Sequence, residues 1–197
     1  MTIGGLIKSL FSPTFVLSTM RTLWYKYCCG YNIGSKVLVY YKAHLYSDNK
    51  CISIGEKTHL GRSKKGYHAG MPFHTTLNNE GDNAKIIIGR NCRINGAYIH
   101  AKKSITIGDN CVIAGGVNII DCNGHIVGSS DRTKGTDPAK PITIGNNVWI
   151  GQNAIILKDT IIGDNSVIGA GCVVKGNFPP NSLIQLPQPL VTNIEIK

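Results

Sequence analysis

A polar, glycine-rich stretch, DCNGHIVGSSDRTKGTDPAKP, runs from Asp121 to Pro141 and carries one histidine, His125. A neutral imidazole near pH 7 can take the proton of an attacking hydroxyl, which makes His125 a candidate general base. Attack by a hydroxyl on a carbonyl needs that base and donors for the tetrahedral oxyanion, which backbone N–H groups can supply, and it requires no metal. Asp121 either steers His125 or the acceptor, or is a turn residue bonded to its own backbone. The other five histidines are 44, 59, 68, 74 and 100, with no His-x4-His pair inside a regular stretch. Zinc needs three converging ligands, so a metal centre is not expected. The seven cysteines are odd in number and lack zinc-type spacing, which argues against a disulfide framework.

A base in a loop needs a rigid frame, and the flanking sequence supplies one. Ile144, Ile150, Ile156, Ile162, Ile168 and Val174 fall six residues apart, with glycine following at 145, 151, 163 and 169. The same period starts at Ile33, Ile54, Ile88 and Ile107 and covers most of residues 31–178, with breaks near 66–85, 100–106 and 126–141. Six is neither the helical period nor the alternation of an amphipathic hairpin. It suits a short strand plus a sharp bend, with Gly, Asn and Asp at bends that need left-handed dihedrals. Three such units close an eighteen-residue triangular coil, and coils stack by parallel β pairing into an all-β solenoid. The slot four residues after each isoleucine must be small. Cys92, Cys111 and Cys172 fill it, as do Val148, Ala154, Thr160 and Ser166. These cysteines are read as buried side chains in a reducing, cytoplasmic compartment.

The tandem [LIV]-G-x-x-x-x units, with N-N-V-W-I-G at 146–151 and I-G-A-G-C-V-V at 168–174, resemble the hexapeptide-repeat acyltransferases. Within them the likeness is to sugar O-acetyltransferases of the maltose/galactoside acetyltransferase type, including those acting on bacterial exopolysaccharide. The resemblance implies a left-handed parallel β-helix; the handedness does not follow from the period. It also implies a homotrimer with active sites between neighbouring prisms, acetyl-CoA as co-substrate and a sugar acceptor. The single histidine at the root of the excursion before V-W-I-G is the general base in such enzymes, which here is His125. Asn95, in R-I-N-G-A, matches an acceptor-binding asparagine only across a one-residue insertion, and its reading as a plain turn residue stays open. The pantetheine arm would lie along Trp149, Gly151, Gln152 and Ala170. The turn V-V-K-G-N-F-P-P-N keeps a cation, Lys175, near the CoA phosphates, one position early. The family's further cation beyond that turn is missing until Lys197. An acyl-carrier-protein-dependent or N-acyl transferase acting on an amino sugar, and a non-catalytic trimeric scaffold, are the alternatives.

Three regions are expected: a helical appendage over 1–30, the β-helix over 31–181 with its excursion at 121–141, and a tail over 182–197. Pro13 suits the first turn of a helix from about Thr14 to Tyr27. Phe15, Leu17, Met20, Leu23 and Trp24 would form its apolar face, which either caps the open end of the stack or docks peripherally on the inner face of a membrane. The apolar run is too short to span a bilayer, and no signal-peptide cleavage site follows. Net charge is +10. That favours phosphates, acidic glycans or a membrane surface. Nucleic acid is not expected, because the basic residues are scattered and not interleaved with aromatics.

Overall fold

A computed structural model describes residues 12–62 and 73–187. His68, the first eleven residues and the tail from 188 onward, Lys197 included, lie outside the described residues. Helix α1 (Pro13–Tyr27) precedes twenty short strands. The strands form the three faces of a left-handed parallel β-helix. The first face stacks β1 (Asn32–Ile33), β4 (Ile52–Ile54), β7 (Lys85–Ile88), β10 (Ser104–Ile107), β13 (Ile142–Ile144), β16 (Thr160–Ile162) and β19 (Asn177–Phe178). The second stacks β2 (Leu38–Val39), β5 (His59–Leu60), β8 (Arg93–Ile94), β11 (Val112–Ile113), β14 (Trp149–Ile150), β17 (Val167–Ile168) and β20 (Leu183–Ile184). The third stacks β3 (Ala43–Ser47), β6 (Thr75–Asn79), β9 (Tyr98–Ala101), β12 (Asn118–Ile120), β15 (Ile155–Leu157) and β18 (Val173–Val174).

The coil repeat follows the expected arithmetic. Ile144 pairs with Ile162, Ile150 with Ile168 and Ile156 with Val174, each eighteen residues on. All six side chains are buried and stack into one axial core. The small slots are buried too, and their polar atoms reach the next coil: Cys92 Sγ donates to the Gly108 carbonyl at 3.1 Å and Thr58 Oγ1 to that of Gly89 at 2.8 Å. At the bends, Asn110, Asn147 and Asn165 adopt φ of 60°, 54° and 58°. Neighbouring bends are laced together, with Asp109 N–H donating to Asn146 Oδ1 at 2.9 Å and Asn146 N–H to Asp164 Oδ1 at 2.7 Å.

The period lapses near residues 100–106, as expected, without interrupting the stack: β9 and β10 continue it, with a wider turn that shifts the pairing to Ile88 with Ile107 and Ile99 with Ile119. One expectation needs correction: the solenoid runs past residue 181, because β20 pairs with β17.

Helix α1 lies across the open end of the first coil. Ser12 caps its N-terminus, its side chain accepting from Phe15 N–H at 3.2 Å. It turns Ser18, Thr22 and Tyr25 inward, and leaves Leu17, Met20, Leu23 and Trp24 exposed. The helix caps the stack, as one of the two alternatives expected, but with its polar rather than its apolar face. A free β edge presents N–H and C=O groups that apolar side chains cannot satisfy. Thr22 Oγ1 accepts from Val39 N–H at 2.9 Å, the Tyr25 hydroxyl accepts from Leu45 N–H at 3.3 Å, and Arg21 Nη2 donates to the Ala43 carbonyl at 2.8 Å.

Candidate active site

Strand alternation turns the residue before each inward isoleucine outward. On the second face this aligns Arg93, Val112, Trp149 and Val167 in register. The bend that follows each strand adds Asn95, Ala114, Gly151, Gln152, Gly169 and Ala170. Together they line a groove of about 510 Å³. Five of the expected site residues, Asn95, Trp149, Gly151, Gln152 and Ala170, therefore share one surface. Asn95, the Trp149–Gln152 stretch and Ala170 are separated in sequence by about one or more coil repeats, so only stacking brings these three together.

The groove floor is bare backbone. A Cβ on Gly151 would stand 2.7 Å from Ala170 N, so two coils approach there as closely as glycine allows. The Gly151 and Gly169 N–H groups are spent on the ladder, donating to Ile168 O at 2.8 Å and Ile184 O at 2.7 Å. Ala170 N–H donates to none of the described residues, which leaves it for a bound carbonyl. The Trp149 indole is 55% exposed and walls the groove. Asn95 is oriented by Arg62, whose N–H donates to its Oδ1 at 2.9 Å. Arg93 supplies a cation that the sequence reading missed, along with Val112, Ala114, Val167 and Gly169. Its signal was present, since Arg93 precedes Ile94 as Trp149 precedes Ile150.

His125 lies elsewhere. Its loop leaves the third face after β12 and returns to the first face at β13, at the corner of the triangle opposite the second face. That corner is pinned. Lys140 N–H donates to the Asp121 carbonyl at 2.8 Å, and Asn123 Nδ2 donates to Asp137 Oδ2 at 2.9 Å. Lys158 pairs with Asp137, and Lys140 Nζ meets Asp159 Oδ2 at 2.6 Å. The Lys140 bond holds the Asp159 carboxyl below its usual range. His125 itself is exposed and makes no hydrogen bond to the described residues. Lys175 is also at this corner, between β18 and β19, exposed and away from the Trp149 groove. In one chain, the loop histidine and the groove stand on opposite sides of the prism.

Of the alternatives open for Asp121, the contacts fit backbone bonding, to a turn in the preceding coil rather than to its own. It is fully buried, and its two carboxylate oxygens accept the N–H groups of Lys102, Lys103 and Ser104 at 2.8, 2.7 and 2.8 Å. A turn between β9 and β10 leaves those three donors without carbonyl partners, and a buried carboxylate in the next coil collects all three.

The described part of the 66–85 break, with Phe73, His74 and Thr76, joins Tyr98 and Asn118 in a second groove of about 380 Å³ on the third face. His74 is tied up with His44, ring nitrogens 2.6 Å apart, and Arg21 sits 3.3 Å beyond. Burial, Arg21 and His74 lower the His44 pKa. His100 meets Glu80 at 2.8 Å. Among the described residues no three His, Cys, Asp or Glu side chains gather as a metal site. The Cys111 thiol is pushed up by its hydrogen bond with Cys92 and by burial, opposite to what a nucleophilic thiolate needs.

A family model of the bacterial transferase hexapeptide (six repeats) matches residues 141–176, and one of the hexapeptide repeat of succinyl-transferase matches residues 85–120. Galactoside O-acetyltransferase of Escherichia coli (strain K12) is 46% identical over 99 residues, covering 50% of this chain and 48% of that protein. The chain thus spans about half the length of this curated relative. A solved galactoside acetyltransferase in complex with coenzyme A is similar at a TM-score of 0.50 and 31% identity, over 77% of this chain and 58% of that one. AntD, an N-acyltransferase from Bacillus cereus solved with dTDP and 3-hydroxybutyryl-CoA, reaches a TM-score of 0.62 over 81% of each chain. At 19% identity that likeness is one of fold.

Proposed function

We propose that this hexapeptide-repeat protein of the bacterial transferase type moves an acetyl group from acetyl-CoA to a sugar hydroxyl, at a site shared by neighbouring chains of a homotrimer. One observation carries the reading. The groove holds Asn95, Trp149, Gly151, Gln152 and Ala170 on the second face, while His125 stands at the opposite corner. A base and a thioester arm on opposite sides of one prism can meet only when a second prism turns its corner toward the first one's groove. Rotational symmetry then repeats that contact around a closed ring.

In this reading the pantetheine arm lies along Trp149, with its amide carbonyl accepting from Ala170 N–H. Asn95 holds the acceptor. A ring nitrogen of the neighbour's His125 takes the acceptor's proton as the sugar oxygen attacks the acetyl carbonyl carbon. The C–S bond breaks, the sugar ester forms, and the proton passes to the departing CoA thiolate. Arg93 and Lys175 stand at different parts of the shared site as cations for anionic groups of coenzyme or acceptor. The similarity to galactoside acetyltransferases supports both the acyl donor and the acceptor class.

The test is CoA release from acetyl-CoA with a panel of sugars and amino sugars. His125→Ala should lose on the order of 10²-fold or more. Ala170→Trp, which fills the groove, should be inactive through the other half. Co-assembled, the two variants should recover activity in about one site in four by random mixing. Mixed oligomers that stay inactive would place both halves in one chain and refute the shared site. Release with amino sugars alone would move the acceptor to an amine, and no release with any acceptor would leave a scaffold.

A further inference from the structure

Helix α1 presents to the outside what a solvated helix hides. Val16, Leu17, Met20, Leu23, Trp24 and Tyr27 recur at three- and four-residue spacing and are 43–73% exposed. No charged side chain interrupts that face, because Arg21 and Lys26 lie on its flanks. The face has a definite direction. The groups the helix caps, Val39 N–H, Leu45 N–H and the Ala43 carbonyl, are those pointing away from the second coil. Their neighbours Leu38 and Tyr40 N–H point the other way, to Thr58 O and Leu60 O. The outer face therefore looks out along the prism axis, away from the three sheet faces.

A cationic rim surrounds it. The three corners of the first coil each carry a lysine, Lys36, Lys42 and Lys50, and Lys26 ends the helix. None of the four makes an ion pair with the described residues. Residues 12–62 hold seven Lys and Arg against two Asp and Glu. A second copy seated end to end would press one lysine rim against another, which its own charge opposes. An apolar face edged with Trp and Tyr inside a ring of unpaired cations is instead complementary to an anionic lipid bilayer.

We propose that α1 is an in-plane membrane foot. Leu17, Met20, Leu23 and Trp24 enter the boundary between headgroups and acyl chains, and Lys26, Lys36, Lys42 and Lys50 rest over lipid phosphates. The docking stands on the helix and its rim, and does not depend on the acyl-transfer reading.

The test uses the full chain and vesicle co-sedimentation. One set of vesicles is phosphatidylcholine alone; the other contains about one-third phosphatidylglycerol. The wild type should pellet with the anionic vesicles and release in high salt. Leu17→Asp with Trp24→Asp changes only exposed side chains, and circular dichroism verifies its fold. It should lower the partition coefficient by at least about 10-fold. Lys36→Gln, Lys42→Gln and Lys50→Gln together should lower it on the order of 10²-fold on anionic vesicles. Wild type that ignores anionic vesicles at low salt would overturn the proposal. So would undiminished binding by the Asp variant, or an Asp variant whose only change is a smaller mass by sedimentation velocity, which would assign the face to another copy.

Discussion

Replacing Asp121 by alanine separates a structural carboxylate from a catalytic one. The side chain is fully buried and accepts three backbone N–H groups, at 2.8, 2.7 and 2.8 Å. A hydrogen bond to a charged group is worth about 1.5–3 kcal/mol net. The donors sit in a turn that water can partly reach, so the three losses do not sum in full, and we expect a total of about 2–4 kcal/mol. For a chain of this size that corresponds to a fall in apparent melting temperature of about 5–15 °C. Asp121→Asn keeps one carbonyl acceptor but turns an NH2 toward donors, and should fall between alanine and wild type. Thermal melts monitored by circular dichroism give the stability, and CoA release at a temperature where both proteins are folded gives the activity. A variant that melts within about 1 °C of wild type yet loses about 10²-fold in turnover would mean that Asp121 steers His125 or the acceptor, and the structural reasoning would fail.

Other consequences follow from the same coil geometry. Ile156→Ala removes a fully buried side chain between Ile119 and Val174, and should cost about 2–5 kcal/mol in chemical denaturation; a cost under about 1 kcal/mol would contradict a close-packed axial core. Lys57 holds φ 59° at a bend where other coils place asparagine, so Lys57→Asn should stabilise by about 0.5–1 kcal/mol despite losing an exposed 3.4 Å pair with Glu56. A decrease in stability would show that the bend is not strained. Burial, then Arg62 and Arg93, lower the His59 pKa. The unfolded chain therefore binds that proton more readily than the folded one. The stability His59 contributes is present above its unfolded pKa of about 6.5 and is lost as pH falls through its lower folded value. His44 acts in the same direction. Melting temperature should drop between about pH 7 and pH 5, less steeply in His59→Gln; equal slopes would refute the assignment.

The period of six contained the triangular coil and its parallel stacking before any coordinates were needed, though not the handedness. Inward Ile144, Ile150 and Ile156, small Cys111 and Ala154, and bend asparagines at 110, 147 and 165 are each dictated by sterics within a few residues. A narrow triangular interior admits few side chains, and a bend with positive φ favours residues without a branched Cβ. The excursion at 121–141 was legible for the same reason, as a place where that local rule lapses. What the period could not reveal depends on atoms one coil away. The groove is legible only when Arg93, Val112, Trp149 and Val167 stand in register, which is a matter of inter-coil pairing. Asp121 could be read as a partner for the histidine four residues on, for the acceptor, or for its own turn. It serves instead three N–H groups at 102–104, because a widened turn left them unpaired and the next coil places a carboxylate there. The apolar stripe of α1 likewise left its orientation open, inward as a cap or outward. The free β edge beneath it demanded Thr22, Tyr25 and Arg21, and the unsatisfied edge outweighed the apolar face in deciding which side turned inward.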